Sequence, residues 1–236
     1  MAARSIAVVP LGRTSYGACW GLQRALFERR AAGTVGDLLL LTEHDHVYTI
    51  GTGGDELHLL AGDEELRAKG VEVFRNDRGG DITYHGPGQL VGYPIIDLQG
   101  YTPDLHRYLR DLEEAVIRTL ARFGVQAGRM PDYTGVWVGN DKICAIGIKS
   151  RRWITMHGFA LNVATDLAYF GRIIPCGIFE KGVTSLSVLL GRTVALEEVA
   201  GPLAEEFGAV FGAAMTAADP AEFPAHAYSP EQSTNA

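Results

Sequence analysis

Apolar residues recur along this chain with two different periods. The segment Asp37–Thr42 (DLLLLT) is almost continuously apolar, which predicts a strand buried on both faces. Apolar residues at helical spacing predict one helix over Tyr16–Arg30 and another after Thr102–Pro103, where a hydroxyl N-cap and a proline precede a stripe from Leu105 to Phe123. Similar patterns predict strands at Ser5–Leu11, Val47–Ile50, Val71–Phe74, Gly135–Val138, Lys142–Ile148 and Trp153–Val163, and helices at Val183–Leu190 and Leu196–Phe211. Together these elements indicate an α/β or α+β class.

The length and composition indicate a single globular domain. The chain has 236 residues, of which 47% are hydrophobic and 21% charged, enough apolar material for a sizeable core. Three prolines and a polar ending follow Ala217. We therefore expect one domain over residues 1–217 and a flexible tail over residues 218–236.

Charge and cysteine content narrow the class of protein further. A net charge of −7 argues against nucleic-acid binding, which usually requires a basic face. The three cysteines, Cys19, Cys144 and Cys176, are odd in number and widely spaced, so neither a disulfide framework nor a zinc site is expected. The sequence shows no signal peptide and no apolar run of about 18 residues. We expect a cytoplasmic protein with reduced thiols.

Glycines and polar residues are most concentrated in the segment Arg78–Gln89 (RGGDITYHGPGQ). Its glycines allow the backbone to approach a ligand closely, and Tyr84 and His85 add an aromatic wall and a titratable ring. The same residues are also typical of a surface hairpin. Neither a Walker loop nor a GxGxxG turn is present, so the segment gives no support for nucleotide phosphate binding.

Cys176 lies between a proline and a glycine in the segment IIPCGIFEKG. Such a backbone is tight and non-helical and can present a thiol in a cleft. A nucleophilic cysteine needs a nearby cation or base to form the thiolate. A free cysteine is more commonly a small core residue, so this tripeptide alone does not identify a catalyst.

Lys142 opens the apolar strand KICAIGIK. If the lysine is half buried it can act as a base, although a lysine at a strand end more commonly extends into water. Alternation along the strand places Lys142 and Cys144 on the same face, which makes Cys144 a rival nucleophile. The middle of an apolar strand is, however, poorly suited to catalysis.

Histidines are the alternatives to Lys142 as the base. His85 and His157 are both followed by a glycine, in segments whose composition is typical of a functional site. His44 and His46, with neighbouring acidic residues, could be offered as metal ligands, but a charged strand edge explains them better. We expect no metal site.

Four segments in this order resemble the lipoyl(octanoyl) transferases, which are related to lipoate-protein and biotin-protein ligases. They are RGGDITYHGPGQLVGYPI at Arg78–Ile95, KICAIGIK at Lys142–Lys149, HGFALNV at His157–Val163, and PCGI with VTSL at Pro175–Leu186. The resemblance extends from about Gly12 to Phe211. It implies a mixed β-sheet flanked by helices, with a smaller second sheet beside it, in a single acyltransferase catalytic domain.

The resemblance also implies a reaction with a covalent intermediate. Cys176 would accept an octanoyl group from octanoyl-acyl carrier protein, and Lys142 would lower the cysteine pKa and carry protons. The acyl group would then pass to a specific lysine on lipoyl domains of 2-oxoacid dehydrogenase complexes or on the glycine cleavage H protein. No metal, nucleotide or other cofactor is expected, and we expect a monomer.

The resemblance implies which residues contact the substrate. They are Arg78, Gly79, Gly80, Asp81, Ile82, Thr83, Tyr84, His85, Ala145, Ile146, Gly147, Gly158, Phe159 and Ala160. Gly147 and Gly158 are expected to leave room for an alkyl chain.

The chain departs from the family pattern at two places, and two other functions remain open. Cys144 stands where a small apolar residue is more usual, and the loop GTGGDE follows the strand at Tyr48 where a basic residue is more usual. The alternatives are an ATP-dependent lipoate or biotin ligase and a catalytically inactive module that binds lipoyl domains or carrier protein. The pair Cys176 and Lys142 favours the transferase.

Overall fold

The computed structural model describes residues 4–174 and 181–225, which form a large mixed sheet, a small sheet and five helices. The strands are β1 (Ser5–Thr14), β2 (Asp37–His44), β3 (Val47–Ile50), β4 (Glu72–Arg75), β5 (Ile82–His85), β6 (Gln89–Ile95), β7 (Gly128–Met130), β8 (Tyr133–Val138), β9 (Asp141–Arg151), β10 (Ile154–Asn162), β11 (Gly182–Val183) and β12 (Ala214–Ala217). The helices are α1 (Tyr16–Ala31), α2 (Asp63–Ala68), α3 (Leu105–Ala121), α4 (Leu186–Leu190) and α5 (Leu196–Phe211). The predicted mixed sheet with helices and a smaller second sheet is confirmed.

The large sheet has the strand order β12-β1-β2-β6-β10-β9-β8-β7, and β11 pairs with β9. Strands β12, β1 and β2 run parallel to one another, whereas the pairs from β2 to β7 are antiparallel. The small sheet has the order β4-β3-β5. The glycine-rich segment Arg78–Gln89 contains β5 of the small sheet and leads directly into β6 of the large sheet. The chain therefore crosses between the sheets at this segment.

Both faces of the large sheet are covered, and the leucine run of β2 shows this directly. Leu39 and Leu41 belong to the core cluster beneath α3 and α5, whereas Leu38 and Leu40 belong to the cluster beneath α1. All four are buried. The prediction of a strand buried on both faces is thus confirmed, because successive side chains alternate between the two layers. A third cluster, built on Tyr48 and Tyr84, lies on the small sheet.

Three local predictions need correction. Helix α3 begins at Leu105 and not at Pro103, because the Asp104 carboxylate caps it by accepting hydrogen bonds from the two N–H groups at residues 106 and 107. The helix predicted over Val183–Leu190 is shorter, since Val183 pairs with β9 and Ser185 caps α4. The β9–β10 turn is at Arg152 and Trp153, both of positive φ, and not at Ser150–Arg152.

The chain after Ala217 contributes to the core. Phe223 and Ala225, which we expected to belong to a flexible tail, are buried in the cluster beneath α1. A short 3₁₀ turn, Pro220–Glu222, positions them. Within the described residues, no helix is long and apolar enough to cross a membrane.

The burial of Phe223 generates a stability prediction. We expect Phe223→Ala to lower the free energy of unfolding by about 2–4 kcal/mol, because truncating a buried aromatic ring loses transfer energy and leaves a cavity. Urea denaturation followed by circular dichroism would measure it. The control is Leu57→Ala, whose side chain is 80% exposed and whose loss should change stability by less than about 0.5 kcal/mol. Equal stabilities of the two variants would contradict the assignment of Phe223 to the core.

Candidate active site

A cavity of about 520 Å³ lies where the glycine-rich segment meets the centre of the large sheet. Its size is in the range of sites that bind small molecules. Much of the wall is apolar, with Val91, Ile146 and Phe159 among the lining residues. Lys142, Lys181 and Arg78 bring positive charge to the same wall. The cavity can therefore hold an apolar chain with a polar, reacting end.

The predicted substrate-contacting residues converge on this cavity with one exception. Its lining includes Arg78, Gly79, Gly80, Asp81, Ile82, Thr83, His85, Ala145, Ile146, Gly147, Gly158, Phe159 and Ala160. Tyr84 is the exception: its side chain is buried in the third core cluster, where its hydroxyl pairs with His46 Nδ1 at 2.7 Å. The physical reason is strand alternation, which turns His85 towards the cavity and Tyr84 to the opposite face of β5.

Arg78 is held in the wall by backbone and side-chain acceptors. Its Nη2 donates to the Thr49 carbonyl at 2.6 Å and to Thr49 Oγ1 at 2.9 Å, and Nη1 donates to the Gly79 carbonyl. The side chain is only 8% exposed. A planar guanidinium bound in this way fixes the loop between the sheets as well as the charge that it carries.

Gly147 and Gly158, which are paired across β9 and β10, make room for protein backbone. A Cβ at Gly147 would lie 2.8 Å from the Gly79 carbonyl oxygen, and one at Gly158 would lie 2.2 Å from the Gly92 carbonyl oxygen. The expectation that these glycines leave space for an alkyl chain is corrected here, because neighbouring main chain fills that space. Their backbone still lines the cavity.

His157 is a buried ring tied to Asp77. Its Nε2 lies 2.7 Å from Asp77 Oδ1, and Lys149 pairs with the other carboxylate oxygen. Burial alone would raise the pKa of Asp77, but these two hydrogen bonds outweigh it and hold that pKa well below its usual range. Burial lowers the pKa of His157, and Asp77 partly opposes that effect. His157 has φ +58°, a conformation rare in β-strands.

The hydrogen bonds of His85 fix its tautomer. The amide Nε2 of Gln89 faces the Tyr84 carbonyl and Asn162 Oδ1, so Gln89 Oε1 accepts from His85 Nδ1 at 2.8 Å. The proton is therefore on Nδ1, and Nε2 accepts from the Thr49 hydroxyl at 3.4 Å. Burial lowers the pKa of His85 to about 3, which makes it a weak base.

His44 and His46 do not converge on a common point. Nδ1 of His44 donates to the Thr14 carbonyl at 3.0 Å, so its Nε2 is unprotonated and accepts from the Tyr93 hydroxyl at 2.7 Å. His46 instead stacks on Tyr169, with ring centroids 4.4 Å apart. Burial lowers the pKa of His44 to about 4.

Lys142 and Cys144 lie on different faces of β9, contrary to prediction. Val136 pairs with Cys144 but Trp137 pairs with Lys142, so Ile143 is an extra residue in a β-bulge. The bulge reverses the alternation and directs Cys144 into the core beneath the helices. Cys144 is fully buried, and this burial raises the pKa of its thiol well above the usual range, which argues against the rival nucleophile. Lys142 lines the cavity, with its Nζ 4.8 Å from the centroid of the Trp137 ring.

Cys176 lies outside the described residues, but the chain on either side of it borders the cavity. Before it, Ile174 N–H donates to the His58 carbonyl, and Phe170 lines the cavity. After it, Lys181 lines the cavity, and Val183 pairs with Lys142.

Sequence reasoning missed several residues of the site. Tyr16 and Trp137 line the cavity but occupy ordinary core positions of a helix and a strand, so nothing in the sequence marks them. Asp77 immediately precedes the glycine-rich segment. Gln89 and Asn162 both fall inside the segments that carry the resemblance, and a search of those segments for amide side chains could have found them.

Comparison with known proteins shows relatives that match most of the chain. Residues 15–208 match the protein-family model described as the lipoyl protein ligase A/B catalytic domain. An octanoyltransferase of Rubrobacter xylanophilus is 57% identical over 203 residues, which cover 85% of this chain and 91% of that protein. An octanoyltransferase of Solibacter usitatus is 48% identical over 221 residues, 91% of this chain and 100% of that protein. A crystal structure of lipoate-protein ligase A bound with ATP superimposes with a TM-score of 0.73 at 19% identity, covering 94% of this chain and 93% of that one, which shows a shared fold.

The buried, neutral His44 generates a prediction of pH dependence. Its pKa is about 4 in the folded protein and about 6.5 when unfolded, so between these values the unfolded chain binds the extra proton. Stability contributed by His44 is therefore present above about pH 6.5 and falls by about 1.4 kcal/mol per pH unit as the pH is lowered towards 4. His44→Gln should remove that part of the slope.

Urea denaturation at several pH values between about 4.5 and 7 would measure the slopes. His106→Gln is the control, because His106 is exposed on α3; it should keep the slope of the wild-type protein. If the wild-type protein and His44→Gln had the same slope, the assignment of a buried neutral ring would be wrong.

Proposed function

Because the chain belongs to the family of lipoyl protein ligase A/B catalytic domains, we propose that it is an octanoyltransferase that acts in protein lipoylation. The donor is octanoyl-acyl carrier protein. The acceptor is the side-chain amine of a specific lysine on lipoyl domains of 2-oxoacid dehydrogenase complexes or on the glycine cleavage H protein. The observation that carries the proposal is the position of Lys142 on an apolar cavity whose rim includes the chain on both sides of Cys176.

The proposed reaction has two steps. The Cys176 thiolate attacks the carbonyl carbon of the donor thioester, and the carrier thiol leaves with a proton from the Lys142 ammonium. The acceptor amine then attacks the octanoyl-enzyme, gives its proton to the neutral Lys142, and displaces the Cys176 thiolate as the amide forms. Each step exchanges one acyl bond for another, so no ATP is consumed.

The geometry of the histidines supports Lys142 as the proton carrier. His85 holds its proton towards Gln89, and its low pKa makes the free nitrogen a weak base. His157 directs Nε2 to Asp77, which occupies that nitrogen. Lys142, in contrast, lies on the cavity wall beside the strand that follows the Cys176 segment.

The apolar wall supports an alkyl substrate. Val91, Ile146 and Phe159 line the cavity. Burying the seven carbons beyond the octanoyl carbonyl contributes about 6 kcal/mol at roughly 0.8 kcal/mol per methylene. That is enough to favour an octanoyl chain over a short one. We place the reaction in the cytoplasm, a compartment that keeps the Cys176 thiol reduced.

The proposed two-step reaction predicts a covalent octanoyl-enzyme intermediate. We expect intact mass spectrometry of the protein incubated with octanoyl-acyl carrier protein to detect an added octanoyl group, and Cys176→Ser to lack the thioester adduct. Cys144→Ser is the matched control and should keep the adduct, because Cys144 is buried away from the cavity. An adduct that is retained in Cys176→Ser and lost in Cys144→Ser would reverse the assignment of the nucleophile.

The choice of acyl donor separates the transferase from a ligase that uses ATP. We expect octanoylation of a lipoyl domain with octanoyl-acyl carrier protein in the absence of ATP, and at least about a hundredfold less product with free octanoate and ATP, since the thioester already carries the activation. Equal rates with the two donors would contradict the transferase. Tight binding of a lipoyl domain without turnover of either donor would instead indicate a binding module.

A further inference from the structure

Lys142 rests on the face of a tryptophan. Its Nζ lies 4.8 Å from the centroid of the Trp137 ring, and Trp137 is 3% exposed on the cavity wall. A cation over an aromatic face is attracted by the ring quadrupole, and most strongly where water is excluded. The contact therefore favours the ammonium form of Lys142, which is the form that stabilises a neighbouring thiolate.

The stem of Lys142 passes over a position that only glycine can occupy. Gly135 has φ +128°, and a Cβ there would lie 2.6 Å from the Cys144 carbonyl oxygen and 3.5 Å from Lys142 Cε. The lysine stem lies against this bare backbone. Gly135 and Trp137 of β8 thus form a seat for Lys142, opposite the bulge at Ile143.

A buried carboxylate on α3 fixes this seat. Glu113 is 0% exposed, and its Oε1 accepts from the Gly135 N–H at 3.1 Å. Its Oε2 accepts from Arg110 Nη1 at 2.7 Å and from Arg129 Nε at 2.9 Å. A carboxylate is tolerated in a core only when it is paired and hydrogen-bonded, as it is here on both oxygens. Helix α3 is therefore tied to β8 at the residue directly beneath Lys142.

We propose that Glu113 and Trp137 are positioning residues for Lys142. Glu113 holds Gly135 and so the seat, and Trp137 holds the ammonium group over the cavity in its charged form. This inference rests on the proposed function, in which Lys142 activates Cys176. It adds that the lysine depends on a helix and a neighbouring strand for its position and its charge.

The test is the pH profile of Cys176 alkylation by iodoacetamide, measured by peptide mapping in the full chain. Lys142→Ala is the reference and should move the midpoint of the profile to higher pH. We expect Trp137→Leu and Glu113→Ala to move it in the same direction and to slow alkylation at neutral pH by roughly threefold to tenfold. Trp137→Phe and Glu113→Gln should move it less, because a ring and an acceptor for the Gly135 N–H remain.

The matched control is Glu114→Gln. Glu114 neighbours Glu113 on α3 and also pairs with Arg129, but it pairs with Arg118 as well, whereas the Gly135 N–H donates to Glu113. Its variant should keep the wild-type profile. A purely structural role for Glu113 or Trp137 would lower the yield of folded protein without moving the midpoint of the alkylation profile. If Glu113→Ala or Trp137→Leu does not fold, the comparison is made with Glu113→Gln and Trp137→Phe.

The failures of the two proposals are distinguishable. A shifted midpoint for Lys142→Ala together with unchanged midpoints for the Glu113 and Trp137 variants would overturn the positioning inference and leave the role of Lys142 intact. An unchanged midpoint for Lys142→Ala would contradict Lys142 as the group that activates Cys176, and with it the basis of this inference.

Discussion

The site depends on a close approach of backbones that side chains would prevent. Gly147 and Gly158 face each other across β9 and β10, and Gly92 lies next to Phe159 across β6 and β10. A Cβ at any of the three glycines would collide with a carbonyl oxygen or with the Phe159 ring. Because Gly147 has no side chain, the loop at Gly79 can lie against the large sheet, and because Gly92 has none, the Phe159 ring can lie over β6. The cavity is the space that remains beside this contact.

The sequence predicted the fold well where burial alone decides the structure. The leucines of β2, the strand Val47–Ile50 and the helix Leu196–Phe211 have the predicted bounds or nearly so, because their apolar period reports directly which side faces a core. Prediction was weaker where a local hydrogen bond competes. The Asp104 cap moved the start of α3, and the pairing of β11 shortened the helix after Val183. Such choices depend on partners distant in the sequence.

Much of the site could also be predicted, since the described parts of the segments that carry the resemblance meet at one cavity. The role of Cys176 stays a prediction, because that residue lies outside the described part of the chain. What the sequence could not reveal was which way individual side chains point. One extra residue in β9 separated Cys144 from Lys142, and alternation along β5 turned Tyr84 away. A bulge has no reliable signature in a single sequence, because it depends on how the partner strand is paired.

The parallel pairing of β1 with β12 has a consequence for biosynthesis. Ser5 lies opposite Ala214, so the outer edge of β1 stays uncovered until β12, which is made much later in translation, pairs with it. Until then β1 presents an unpaired edge to other nascent chains, and such edges are templates for aggregation. A parallel contact between segments so distant in the sequence also forms late in folding. A chain truncated before residue 214 would therefore keep this edge open and available for pairing with other chains.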